Sequence, residues 1–317
     1  MRILYLQCNM GVAGDMLMSA LLELHKNSED FINRLNNIGI PNVMVNRESS
    51  VKCGITGTHI RVMVGDVEEN EQMYHNHEHH HHEHHHHEHH HEHHHEHSHT
   101  SLRDITEIIN NLKVSENVKK SALEVYNIIA EAESKAHNKR VEEIHFHEVG
   151  TMDAICDIVG CSMLFEELGV DKIMSSPLNL GGGQVMTQHG ILPVPAPATA
   201  YILKGLPVDS DTDEGELTTP TGAALVKYFA SEYGNIPSMN IIGSGYGMGT
   251  KDFKAANLVR AILGEVKENS SVLELNCNID DMTGEEIGYA QNKLWEAGAL
   301  EVFTTPVYMK KNRCGVL

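Results

Sequence analysis

The sequence predicts a mixed α/β (α+β) protein. An N-terminal α/β domain is interrupted by a disordered His-rich insert and followed by the start of a ferredoxin-like βαβ domain. Three observations predict it. Residues 1–15 read as strand, glycine-containing turn and helix start. Residues 75–99 hold eighteen histidines in twenty-five positions and no apolar residue, so ordering them gains no burial. From 272 onward a strand, helix, strand pattern reappears. The expected boundaries are 1–74 and 101–266 for the two parts of the main domain, 75–100 for the insert, and 272–317 for an incomplete C-terminal βαβ domain.

In chain order, residues 1–6 form an apolar run of strand length, and Leu17, Leu21, Leu22 and Leu24 share a helical face after Asp15. A second helix is expected over 29–38, stopped by Gly39-Ile40-Pro41. Residues 43–47 and 59–64 alternate as strands do. Helices are expected over 102–112, 116–135 and 153–168, the last ending at Gly169. Residues 144–149 are short and mixed. Glycine and proline make 177–197 an ordered loop region. A helix over 221–233, a glycine-rich stretch over 241–250 and a strand over 256–263 complete the main domain. A polar linker at 267–271 precedes a strand (272–278), a helix (283–297) and a strand (300–307). No fixed-period repeat is present.

The 317 residues carry a formal charge of −20 with histidine neutral, which argues against a polyanion such as nucleic acid as partner. The 24 histidines titrate near neutrality, so protonation or bound metal offsets part of that charge. No apolar run reaches the 18 residues of a membrane span, and the apolar start is too short for a secretory signal, so a cytoplasmic location is expected. The six cysteines, Cys8, Cys53, Cys156, Cys161, Cys277 and Cys314, form no CxxC pair and read as reduced thiols.

Chemistry concentrates in a few strings. The tract, densest at His79, His80, His81, His82, His84, His85, His86 and His87, offers neutral imidazoles that suit nickel, zinc, copper and cobalt alike. An expression tag is the bland alternative, but tags are terminal and pure histidine. In an extended segment His145 and His147 share a face, and Asp153 and Asp157 share one at helical spacing. Together they are candidate metal ligands, with a solvated strand edge and an amphipathic helix as the alternative. Gly11, Gly14 and Asp15 join strand to helix and suit either an anion site or a capped turn. Gly181, Gly182 and Gly183 permit close approach of a ligand, while Thr218, Thr219 and Thr221 open a helix and suit a phosphate or simple capping. Asp280, Asp281 and Glu285 fit Mg²⁺ or Mn²⁺ with a nucleotide, or a capped helix start.

Taken in order, Gly11-Val12-Ala13-Gly14-Asp15-Met16, His145-Phe146-His147-Glu148-Val149-Gly150, Gly181-Gly182-Gly183, His189-Gly190-Ile191-Leu192-Pro193-Val194-Pro195-Ala196-Pro197, Glu216-Leu217-Thr218-Thr219-Pro220-Thr221-Gly222 and Asn278-Ile279-Asp280-Asp281-Met282-Thr283 resemble the LarC family of nickel-insertion proteins for the lactate racemase cofactor. Gln7 and Cys314 depart from its pattern, standing where an acid and a proline are usual.

The resemblance implies a nickel chelatase (a cyclometallase of the lyase class) that inserts Ni²⁺ into pyridinium-3,5-bisthiocarboxylic acid mononucleotide, with CTP and Mn²⁺ or Mg²⁺ as further requirements. It implies lactate racemase pathway proteins as partners, and a separate C-terminal half or a homo-oligomer to complete the last domain. On this reading His145, His147, Asp153 and Asp157 receive metal from the tract, the loops at Gly11–Asp15, Gly181–Gly183 and Thr218–Thr221 bind the cofactor precursor, and Glu148 or His189 is the general base. The competing readings are a non-catalytic nickel store or metallochaperone, and a zinc hydrolase, for which no HExxH motif is present.

Overall fold

Leu4 and Leu6 face one side of the Arg2–Gln7 strand, Ile3 and Tyr5 the other, and all four are buried. A strand covered on both faces belongs inside a sheet. The computed structural model describes residues 1–65, 67–68, 100–146, 148–187, 190–210, 215–266, 273–310 and 313–317, and divides into the units Met1–Lys267 and Glu268–Leu317. The expected insert, apart from Thr100, lies outside the described residues.

In the first unit the strands run Glu232–Tyr233, Lys172–Ser175, Arg2–Gln7, Leu258–Glu265, Asn240–Met248, Ile55–Val64 and Val43–Lys52 across one eight-stranded sheet, with Val67–Glu68 paired to Ile55–Val64. Arg2–Gln7 and Lys172–Ser175 are parallel, and Leu258–Glu265 is antiparallel to Arg2–Gln7 and to Asn240–Met248. The Val43–Lys52 and Ile55–Val64 strands are longer than alternation alone indicates. They meet at Cys53 and Gly54, both at positive φ (50° and 81°), the torsions of a tight two-residue hairpin.

Helix α1 (Gly14–Leu24) is buried nearly all round, between the sheet and the Met152–Leu168 helix. It sits close because glycines 243, 245 and 247 alternate along the strand beneath it. A Cβ at Gly245 would overlap the Ala20 carbonyl, and one at Gly247 the Met16 carbonyl. The Glu23 carboxylate then ties α1 to two strands, accepting from Thr58 Oγ1 and the Tyr246 N–H at 2.8 Å each. Helix α2 (Ser28–Leu35) follows, capped by Asn27.

Helices α3 (Leu102–Asn111) and α4 (Glu116–His137) start at Ser101, with a capping box to Asp104, and at Ser115. Helix α5 (Met152–Leu168) starts at Thr151 and ends at Gly169, φ +53°. The loop-rich stretch holds short paired strands, including the hairpin of Gln184–Thr187 with Gly190–Pro193, and the short helix α6 (Pro197–Ile202). Helix α7 (Pro220–Phe229) has Thr219 as cap and proline in its first turn. It ends four residues before the expected 233, because Glu232–Tyr233 leaves to pair with the sheet edge.

In the second unit α8 (Gly284–Glu296) carries a capping box between Thr283 and Glu286. The strand expected over 272–278 is absent from residues 273–278. Leu273 and Leu275 are exposed with no strand alongside, and Ile279 alone bridges to Val316. The strand expected over 300–307 is confined to Pro306–Tyr308, paired antiparallel with Cys314–Val316. No helix among the described residues is long and apolar enough to cross a membrane.

The seating of α1 can be tested. Gly247→Ala forces a methyl against helix backbone that cannot rotate away, and is expected to cost about 1–3 kcal/mol of unfolding free energy. Gly243→Ala, which meets only the Leu24 side chain at 3.3 Å, is expected to cost less. Urea unfolding of the two variants checks the difference.

Candidate functional site

Three helices of the first unit begin around one cleft of about 410 Å³. Ala13–Met16 at the start of α1, Thr151, Asp153 and Ala154 at the start of α5, and Thr219, Pro220 and Thr221 at the start of α7 line it. The parallel bridge of Val12 to Thr218 brings two of these starts together, and the Thr219 N–H donates to Val12 O at 3.0 Å. Helix starts carry unpaired N–H groups and partial positive charge. At α5 and α7 the threonine caps take one N–H each, Ala154 and Gly222. Ala13, the cap of α1, has no side chain that can do so.

Asp157 fills that role from α5. Its carboxylate accepts the Asp15 backbone N–H. Gly14 is the residue that makes room, since a Cβ there would overlap Asp157 Oδ2. The remaining oxygen, Oδ1, is buried with no hydrogen-bond partner. Burial, then the neighbouring Asp153 and Asp15 carboxylates, push the Asp157 acid well above the usual aspartate range. Burial also raises the thiols of Cys156 and Cys161, with Asp157 adding to it, and lifts Cys8 to about 12. These buried sulfurs stay protonated at neutral pH and are poor metal ligands.

Of the expected site residues, Gly14, Asp15, Asp153, Asp157, Thr219 and Thr221 line the cleft. Gly11, Gly181 and Thr218 stand behind it and hold its loops together. Gly11, at φ +74°, gives the Leu217 carbonyl close approach, and Gly181, at φ +79°, does the same for Gly215. Thr218 Oγ1 donates to Asn179 O at 2.5 Å, while Asn179 Oδ1 accepts the Gly181 N–H at 3.0 Å. Gly182 and Gly183 continue that loop and are not among the lining residues. His145 pairs through its backbone with Ser101, and Glu148 opens the Glu148–Gly150 turn. The side chains of both lie outside the description, as do His147, His189 and His79, His80, His81, His82, His84, His85, His86 and His87. Among the described residues no three His, Cys, Asp or Glu side chains converge as a ready-made metal cage.

Sequence reading missed several lining residues: His59 and Arg61 on a strand, Glu216 beside the expected threonines, and Lys251, Phe253 and Asn257 on the loop after Met248. Strand alternation could have flagged His59 and Arg61, which share a face at i and i+2. The 249–257 loop has no sequence signature. It is shaped by Lys52 Nζ, which donates to Thr250 O at 3.0 Å, and by Asn257 Nδ2, which donates to Lys251 O at 2.9 Å.

A raised native pKa makes Asp157 a cost to folding at neutral pH. The Asp157 contribution to stability is fully present below the ordinary aspartate range and is lost as pH rises through the elevated native value. Asp157→Asn removes that charge and keeps an acceptor for Asp15. It is expected to be more stable than wild type at pH 7, with the gap closing in acid, and to lose activity. Urea unfolding across pH checks the first part.

Residues 4–317 match the family described as nickel insertion protein. A relative from Clostridium acetobutylicum, named pyridinium-3,5-bisthiocarboxylic acid mononucleotide nickel insertion protein, is 46% identical over all of this chain and 77% of its own length. Relatives of the same name from Geobacillus kaustophilus (41%, covering 100% of this chain and 76% of theirs) and Staphylococcus epidermidis (40%, 98% and 72%) agree. No solved structure matches the chain. With a match over almost its whole length and relatives at this identity, the chain belongs to the nickel insertion protein family.

Proposed function

We propose that this chain inserts Ni²⁺ into pyridinium-3,5-bisthiocarboxylic acid mononucleotide, the substrate in its relatives' names. The observation that supports the reading most directly is the shared cleft, where carboxylates for a cation stand beside helix starts for an anion. The substrate has both needs. Its phosphate suits the Thr221 N–H in the first turn of α7 and the Lys251 ammonium, both at the cleft. Nickel, delivered by the histidine tract, suits Asp153 and Asp157 with His145 and His147.

The two thiocarboxylates flank one ring carbon. Forming a nickel–carbon bond there breaks the C–H bond. The electron pair stays on carbon and becomes the new bond, and the proton passes to Glu148 or His189 as base. Ni²⁺ acts as Lewis acid for the developing carbanion, so no oxidant is consumed. For the CTP and Mn²⁺ or Mg²⁺ that the resemblance implies, no three His, Cys, Asp or Glu side chains among the described residues form a ready metal set. Asp280 is paired with Arg313 at 3.8 Å, and Thr283 and Glu286 serve as the α8 cap. No step is routed through them.

The tract's composition favours a second reading, a nickel store or metallochaperone without chemistry. Two measurements separate them. Purified protein given Ni²⁺, the mononucleotide, CTP and Mn²⁺ or Mg²⁺ is expected to yield a nickel-bearing product by mass spectrometry. Failure under conditions where the Clostridium acetobutylicum relative succeeds overturns the insertion reading. Deleting residues 75–99 is expected to leave turnover unchanged at saturating nickel and to lower it when nickel is scarce, whereas a store loses its function outright.

A further inference from the structure

Six histidines lie outside the tract: His25, His59, His137, His145, His147 and His189. Among those with described side chains, His25 pairs with Glu167 at 2.9 Å and His137 with Glu133 at 3.3 Å. His59 alone of these lines the cleft. We infer that His59 is a nickel ligand in the cleft, the protein group that presents Ni²⁺ to the two thiocarboxylates of the substrate. The inference rests on the nickel-insertion reading above and names a residue that reading does not use.

The hydrogen bonding of the ring carries the argument. His59 Nδ1 lies 3.0 Å from the Met248 carbonyl oxygen. A carbonyl only accepts, so Nδ1 carries the proton and Nε2 of the neutral ring holds the lone pair. Asp15 Oδ2 stands 3.9 Å from the same Nδ1 and reinforces that tautomer. A backbone carbonyl or carboxylate on one ring nitrogen is the outer-shell arrangement that metal-binding histidines almost always have. Nε2 makes no hydrogen bond to any described residue.

The mount is rigid. Thr58 pairs with Gly247, which fixes the Met248 carbonyl relative to His59, and the Ile60 N–H donates to Ser19 Oγ at 2.9 Å. The rest of the coordination comes from the substrate. Its two meta-disposed thiocarboxylates reach one ion from opposite sides, and the ring carbon between them takes a third position. Square-planar Ni²⁺ has a fourth, which imidazole suits. The Asp15, Asp153 and Asp157 carboxylates in the same cleft favour the divalent charge before the sulfurs engage it.

The bland alternative is that His59 only ties its strand to Met248. His59→Asn separates the two, because the asparagine amide replaces the Nδ1–H donor and removes Nε2. The full-length variant and wild type are mixed with NiCl₂, the mononucleotide, CTP and Mn²⁺ or Mg²⁺. The nickel–sulfur charge-transfer band, product formation and the effect of free imidazole are then read. Expected is a loss of at least about tenfold in band formation and turnover at limiting nickel, partly restored by imidazole. A variant with the wild-type rate overturns the inference, and so does a loss that imidazole leaves untouched. A wild-type protein that forms neither band nor product overturns the nickel-insertion reading itself.

Discussion

The molecule depends on how closely α1 lies against the sheet. Glycines at 243, 245 and 247 remove three side chains from one face of a central strand, and the helix backbone takes the space at 245 and 247. Interiors are packed too tightly for such a seat to be approximate. Once α1 is down, its first turn has a fixed place, and Asp157 of α5 reaches it across Gly14. The Val12 bridge then brings α7 alongside. Packing on one side of the helix therefore sets the chemistry at its end.

The same geometry concentrates charge against its own solvation. Asp157 is buried beside two other acids, with one oxygen unpaired, so the fold tolerates an electrostatic penalty at the cleft. Penalties of this kind collect at functional sites because a ligand can relieve them. A divalent ion or a hydrogen-bond donor in the cleft does so. The neighbouring thiols, raised by burial, do not offer thiolate ligands to such an ion.

Much of this was legible in the chain, for reasons that differ by element. Helices α3, α4, α5 and α8 are marked by Ser101, Ser115, Thr151 and Thr283, caps whose effect is local. The aspartates of the cleft are found by i,i+4 spacing, which is also local. The roles of Gly14, Gly245 and Gly247 are not, since each answers to an atom far away in sequence. His59 hides because its meaning comes from Met248, on a strand nearly two hundred residues on. The strand expected over 272–278 shows the converse. An apolar alternation there is genuine, but a strand exists only through a neighbour, and none among the described residues lies beside Leu273 and Leu275.

The ends of the histidine tract are both attached to the first unit. The Ile55–Val64 strand, which carries His59, leads into it, and Thr100–Ser101 leads out of it, paired to His145–Phe146. A segment secured at both ends cannot carry its load farther than its contour allows, roughly 3.5 Å per residue. On the proposed reading, an ion leaving any imidazole of the tract would begin its search inside a bounded volume containing the cleft. Such a transfer would be first order in protein, so its rate would not fall on dilution as exchange through bulk solvent does.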